Sequence, residues 1–184
     1  MTDEGKNNKK MTVNMWIQKS TKLYRSGRHE EELICYDEAL KIAKNNVELN
    51  DILFNRILAL EALNRNNEAI DCYNKLFELD EVDKSFLWSH REALLLDIGK
   101  YREAIAYKLN EADKFFQDGQ YDKAVSWYGS VEFLLQYLKD EYNTDLFKEY
   151  AEIYHKRSVA KLYLDDEKGA IEDKDIYHQI TGQV

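Results

Sequence analysis

The chain has 184 residues, of which 35 are acidic and 26 basic, giving a formal net charge of −9. This balance excludes a general nucleic-acid binder, which needs a basic surface to displace counterions from phosphates. The sequence has no run of about 18 apolar residues, the length that a membrane-spanning helix needs. Its first residues also lack the apolar segment of a secretory signal. We therefore expect a cytoplasmic protein in which residues 1–12 form a disordered lead.

Proline is absent and glycine occurs only 7 times, whereas average usage of about 5% would give roughly nine prolines. Because sandwiches and barrels need many Gly and Pro turns, this composition predicts an all-α fold. The two cysteines of a cytoplasmic chain are expected to be reduced thiols. In chain order, the nine predicted helices span residues 13–26, 29–44, 49–63, 67–79, 84–98, 101–117, 121–139, 144–164 and 168–180.

A seven-residue phrase recurs at five of the predicted helix boundaries. Each copy begins with a turn-forming residue, usually has alanine at its sixth place, and usually ends on an aliphatic residue. The copies begin at Gly27, Asn64, Gly99, Gly119 and Asp165. Aromatic residues share the period: Tyr36, Tyr73 and Tyr128 stand four places after the sixth residue, and Trp16 and Trp88 stand eleven before their turns.

This pattern resembles the tetratricopeptide repeat, a helix–turn–helix unit of about 34 residues. The resemblance covers residues 13–180. It implies a right-handed α-solenoid of antiparallel helix pairs, forming a single domain over residues 13–184. The repeats are degenerate, because Lys19-Ser20 and Arg91-Glu92 replace the usual Leu-Gly pair after the tryptophan and the terminal proline is missing.

One spacing departs from the period. Gly99 and Gly119 are 20 residues apart and Gly119 and Asp165 are 46 apart, which together make 66, about two normal units. We therefore predict that residues 101–117 form one unbroken helix shared by two repeat motifs. The long gap then leaves room for two long helices, at about 121–139 and 144–164.

Motifs for catalysis are missing from the sequence: there is no nucleophile elbow, phosphate-binding loop, HExxH or CxxC. We therefore predict no catalytic residue, no cofactor and no metal ligand. One alternative is a metal site, because Glu152 and Asp175 each precede a histidine, His155 and His178, by three residues, as in di-iron bundles. Such a site would need two further carboxylates, so exposed pairs at helical spacing are the simpler interpretation.

The resemblance implies that the protein binds a peptide or helix of a partner protein in a concave groove lined by first helices. Some members of the family grip the acidic tail of a chaperone with Lys, Asn and Arg side chains. The corresponding places here hold Ile17, Thr21, Asn55, Phe86 and His90, of which only Asn55 matches. A chaperone tail is therefore not the expected partner.

The groove residues expected instead form an apolar and aromatic strip with a few polar groups, which suits an apolar-anchored peptide or an amphipathic helix. They are Asn14, Ile17, Tyr24, Arg25, Phe54, Asn55, Leu58, Phe86, His90 and Ala93. For Phe54 and Phe86, packing between helices is the alternative.

Three functions are compatible with these patterns. The favoured one is a non-enzymatic protein-interaction module or adaptor. A structural protein that associates with itself through an exposed helix face is the second, and a metal-dependent helical enzyme is the third.

Overall fold

The computed structural model describes residues 11–79 and 84–182, and all the regular structure in them is helical. The all-α class is therefore confirmed. The helices are α1 (Val13–Tyr24), α2 (His29–Leu40), α3 (Asn46–Ala62), α4 (Asn66–Phe77), α5 (Lys84–Asp97), α6 (Tyr101–Gln117), α7 (Tyr121–Tyr142), α8 (Glu152–Leu162) and α9 (Glu167–Thr181).

The chain divides into two compact units between Ile98 and Gly99. In the first unit α1 pairs with α2, α3 pairs with α4, α2 packs on α3, and α5 packs on α4. In the second unit α6 pairs with α7, α8 pairs with α9, and α7 packs on α8. Stacked helix pairs, the building plan of an α-solenoid, are thus confirmed within each unit. The single right-handed array over residues 13–184 stays a prediction, and residues 1–10 of the predicted lead lie outside the described residues.

The predicted turn residues all adopt the left-handed backbone conformation. Their φ angles are 67° at Gly27, 55° at Asn64, 75° at Gly99, 70° at Gly119 and 59° at Asp165. The next residue in each case has φ between −91° and −86° and ψ between 53° and 70°. The amide of Arg28 then donates to the carbonyl of Leu23 at 3.0 Å, the closure of a Schellman motif. One local backbone geometry therefore recurs at five places along the chain.

The shared helix predicted at residues 101–117 is confirmed, because α6 runs unbroken over this span. It buries Ala104 and Ile105 near its start and Ala112 about two turns later. Its first half thus carries the signature of a second helix and its second half that of a first helix.

The long helix predicted at residues 144–164 is wrong over its first two turns, because α8 begins only at Glu152. Asn143 adopts the left-handed conformation, with φ 49°, and this ends α7. The Asp145 carboxylate then accepts a hydrogen bond from the Phe147 amide at 3.1 Å, which favours a local turn over a helix. The other helix boundaries differ from their predicted positions by at most four residues.

Each unit has its own buried core. In the first unit Ile52 and Leu60 of α3 and Leu76 of α4 are fully buried, and both cysteines are free and buried. In the second unit Tyr128 and Leu135 of α7 are fully buried. These side chains fill the spaces between paired helices.

A buried ionic network joins α7, α8 and α9 in the second unit. The Arg157 guanidinium donates to both carboxylate oxygens of Asp173, at 2.8 and 2.5 Å, and to Glu132 at 2.6 Å. The Lys161 ammonium lies 2.8 Å from Asp173. Burial alone would lower the pKa of Arg157, but the hydrogen bonds to Asp173 and Glu132 raise it above its ordinary value, so the guanidinium stays charged.

Replacing Gly119 by alanine should lower the free energy of unfolding by about 1 kcal/mol, because a residue with a Cβ atom is strained in the left-handed conformation. An added methyl group at this position meets no other atom within 4 Å, so the cost comes from the backbone alone. Urea denaturation followed by circular dichroism measures the change.

The matched control is Gly129→Ala, in the middle of α7. There the added methyl group would lie 3.8 Å from Nη1 of Arg157, an ordinary contact. This substitution should raise the free energy of unfolding by up to about 1 kcal/mol, because alanine favours a helix over glycine. Equal effects of the two substitutions would contradict the assignment of the turn.

Candidate functional site

The residues predicted for the groove lie on α1, α3 and α5 or at the end of α1, all in the first unit. Three of them, Tyr24, Asn55 and Leu58, line one cavity of about 180 Å³ between α1, α2 and α3. The other lining residues are Thr21, Glu32 and Tyr36. We call this space the first-unit cavity.

The other predicted residues of α1 and α3 do not line the cavity. Asn14 and Arg25 are exposed, whereas Ile17 and Phe54 are half-buried and pack against the hydrophobic core of the first unit. Phe54 therefore makes the contacts expected for packing between helices, the alternative to a groove position.

The predicted residues of α5, Phe86, His90 and Ala93, are all exposed. The Phe86 ring lies over the His90 ring with 4.4 Å between their centroids. With 56% of its surface accessible, Phe86 is one of the most exposed aromatic side chains of the unit, close to Tyr24 at 53%. Leu58 on α3 is 42% exposed. Each first helix of this unit thus presents at least one large apolar side chain to solvent.

A buried carboxylate lines the inner wall of the first-unit cavity. Glu32 is 2% exposed. The Tyr36 hydroxyl donates to its Oε1 at 2.8 Å, and Nδ1 of His29 lies 3.0 Å from its Oε2. The His29 ring in turn meets the edge of the Tyr24 ring at 5.8 Å.

The two polar residues at the cavity wall are anchored to their own helices. The Thr21 hydroxyl donates to the carbonyl of Ile17 at 2.9 Å, and the Asn55 amide nitrogen donates to the carbonyl of Asp51 at 2.7 Å. Both groups are therefore fixed in position, and each keeps an oxygen that can accept a further hydrogen bond.

Glu32 is the exception at the sixth place of the repeated phrase. The sixth place of the other four copies holds a buried alanine, at Ala69, Ala104, Ala124 and Ala170. Sequence reasoning did not include Glu32 or Tyr36 in the site. The exception to alanine at this place was the signal that could have found Glu32.

In three copies a tyrosine stands four places after the sixth residue of the phrase, and its hydroxyl donates a hydrogen bond to a carboxylate. Tyr73 donates to Glu61 on α3 at 3.2 Å, and Tyr128 donates to Asp113 on α6 at 2.6 Å. In the first copy the acceptor, Glu32, instead belongs to the tyrosine's own helix, α2. Glu32 is also one of the residues that line the first-unit cavity.

Residues 52–83 match the sequence profile of the tetratricopeptide repeat family. The match falls on most of α3, the turn at Asn64 and the whole of α4. These residues are therefore similar to one tetratricopeptide repeat. No curated protein matches it.

Several solved structures of tetratricopeptide repeat and related proteins are similar to this chain. MamA (residues 41 to the end) from Desulfovibrio magneticus RS-1 is 16% identical, with coverage of 91% of this chain and 94% of that one and a TM-score of 0.42. YrrB, a tetratricopeptide repeat protein described as having an unusual peptide-binding site, is 17% identical (93% and 87% covered, TM-score 0.43). The TPR2AB domain of yeast Sti1, in complex with an Hsp90 peptide, is 17% identical (94% and 78% covered, TM-score 0.41).

Neither of the two carboxylate–histidine pairs forms part of a larger ligand group. His155 and His178 both lie beside the Tyr177 ring, with centroids 5.6 and 5.8 Å apart. Across residues 11–79 and 84–182, no three His, Cys, Asp or Glu side chains are grouped to hold a metal ion. Within the same residues, no helix is both long and apolar enough to span a bilayer.

Raising the pH above about 10 should destabilise the protein. Burial and the neighbouring carboxylates raise the pKa of Tyr36, Tyr73 and Tyr128 above the value near 10 of a free tyrosine. The folded state thus favours the protonated phenols, so their contribution to stability is complete below pH 10 and is lost as the pH rises further. Urea midpoints between pH 7 and 11, with tyrosinate absorbance recorded in parallel, measure this loss.

The variant Tyr128→Phe should flatten this alkaline loss, because it removes one buried phenol. Tyr24→Phe, which alters an exposed ring, is the control. An alkaline profile that is the same in all three proteins would show that the buried phenols do not cause the loss.

Proposed function

We propose that the protein is a cytoplasmic, non-enzymatic interaction module that binds a peptide or an amphipathic helix of another protein on its first unit. The observation that carries the proposal is the pairing of two exposed apolar side chains, Tyr24 and Leu58, at one preformed cavity. The similarity of residues 52–83 to a tetratricopeptide repeat supports a role in protein interaction.

Exposed apolar residues are common on protein surfaces and by themselves need no explanation. Tyr24 and Leu58 differ because they come from two separate helices and border the same concave space. The tyrosine ring offers a large, rigid contact area, and tyrosine is one of the residue types enriched at binding hot spots. Because the helices already hold the cavity open, the receptor loses little conformational entropy when a peptide binds.

The chemistry of the cavity argues against an acidic peptide as the ligand. Glu32 is the one charged residue among those that line it, and the place of a clamp lysine on α1 is taken by the half-buried Ile17. An acidic tail would meet a carboxylate where it needs an ammonium group. The proposed partner segment is therefore apolar-anchored and not acidic.

The double substitution Tyr24→Ala and Leu58→Ala should abolish partner binding without lowering the melting temperature. Truncating one anchor side chain costs about 2 kcal/mol of binding free energy, roughly thirtyfold in affinity. Both side chains are largely exposed, so the fold loses little. Affinity for a peptide selected on the wild-type chain, measured by isothermal titration calorimetry, and thermal melting provide the two readings.

Phe54→Ala and Phe86→Ala test the rest of the strip. Phe54 packs on the core, so its truncation should lower the melting temperature. Exposed Phe86 should instead affect binding alone if the bound peptide reaches α5. Unchanged affinity in the Tyr24/Leu58 double variant would show that the first-unit cavity is not the binding site.

A second candidate function, self-association, is favoured by the surface of the second unit. Phe133 on α7 is 73% exposed and Ile171 on α9 is 61% exposed. Sedimentation velocity over a hundredfold range of protein concentration should then show a dimer or larger species, and Phe133→Ser should reduce it. A monomer at every concentration would reject this function.

A further inference from the structure

We propose that the first-unit cavity receives one cationic side chain, lysine or arginine, of the partner peptide, with Glu32 as its counter-charge. This inference rests on the proposed function and specifies the chemistry of its ligand. It is carried by the charge of the cavity wall, the free acceptor sites of Glu32, the size of the space and the exceptional residue in the repeat.

The charge of the cavity is one-sided. Among its six lining residues Glu32 is acidic and none is basic. A buried carboxylate is costly unless it is paired and hydrogen-bonded. Within the described part of the chain, the ion-pair partner of Glu32 is the His29 ring, and no lysine or arginine pairs with it.

The second unit shows how this same chain compensates a buried carboxylate fully. Asp173 is 1% exposed and pairs with two permanent cations, Arg157 and Lys161. Glu32 is almost as buried, with 2% of its surface exposed, but its ion-pair partner is His29, which carries a charge only when its ring is protonated. Glu32 is thus the carboxylate whose surroundings leave room for an incoming cation.

Acceptor sites remain on the Glu32 carboxylate. A carboxylate has about four lone-pair positions, and the Tyr36 hydroxyl and the His29 ring occupy two of them. Further acceptors at the wall are the oxygens of Thr21 and Asn55. An ammonium or guanidinium group, which only donates, matches this set of acceptors.

The size and lining of the cavity suit the end of one long side chain. Its volume of about 180 Å³ is below the roughly 300 Å³ at which small-molecule pockets begin. Leu58 provides an apolar wall for the methylene stem, and the Tyr24 ring provides a face against which a cation can lie.

The fold itself does not call for a carboxylate at this place. Four equivalent positions are filled by buried alanines, which allow the two helices of a pair to approach closely. Alanine therefore meets the packing requirement, and the residue that replaces it in the first copy, Glu32, lines a cavity. This contrast also provides a test variant, Glu32→Ala, because the other four copies already have a buried alanine at this place.

The experiment uses the full chain and a displayed library of random peptides. Peptides selected on the wild-type protein should share a lysine or arginine at one position. Replacing that residue in a synthetic peptide by norleucine (for lysine) or citrulline (for arginine) should weaken binding to the wild-type chain about thirtyfold. The same replacement should change binding to Glu32→Ala by less than about threefold, because the counter-charge is gone.

Two further variants serve as controls. Glu32→Gln removes the charge but keeps the shape and so covers the case in which Glu32→Ala fails to fold. Glu61→Gln alters the carboxylate that accepts from Tyr73 outside the cavity, and it should leave affinity for the cationic peptide unchanged. Thermal melting of each variant confirms that it is folded.

Selected peptides without a shared cation would overturn the inference, as would a cationic peptide that binds wild type, Glu32→Ala and Glu32→Gln equally. If such peptides still require Tyr24 and Leu58, the proposed function stands and only the inference falls. If the wild-type chain selects no peptide at all, both fall.

Discussion

One backbone constraint organises each unit: a single left-handed residue reverses the chain between the two helices of the pairs α1–α2, α3–α4, α6–α7 and α8–α9. Gly27 illustrates the effect, because it fixes the conformation of Arg28 and thereby the direction in which α2 begins. The sixth residue of the phrase is then buried in all five copies. The turn at Gly27 therefore places Glu32 in a buried position five residues later, and the other four turns place an alanine there.

The parts of the fold that could be predicted from the sequence depend on local chemistry. Turn residues can be recognised by their residue type and spacing, so the five turns and the shared helix α6 could be predicted. The connection before α8 was not, because Asn143 and the Asp145 side chain stop the helix in a segment with no repeat phrase. Tyr24, Asn55 and Leu58 were predictable from the register of the repeats, whereas the contribution of Tyr36 depends on a hydroxyl contact that only the packed structure defines.

The two units use buried polar groups in different ways. In the second unit Arg157 connects three helices by charge, and its partners leave no acceptor of Asp173 without a cation nearby. In the first unit Glu32 and Tyr36 line an open space, and the His29 ring contacts the Glu32 carboxylate. The former arrangement stabilises a core, and the latter belongs to the cavity that we propose as the binding site.

Pairing between helices that are neighbours along the chain also shapes how the protein reaches its native state. In each unit the main packing partners are consecutive in sequence, so forming a helical hairpin closes only a short loop. Topologies of this kind fold rapidly, since little chain entropy is lost before contacts form. With no proline in the sequence, the slow isomerisation that delays many proteins has no counterpart here. Each helix pair can thus assemble as soon as its second helix has left the ribosome.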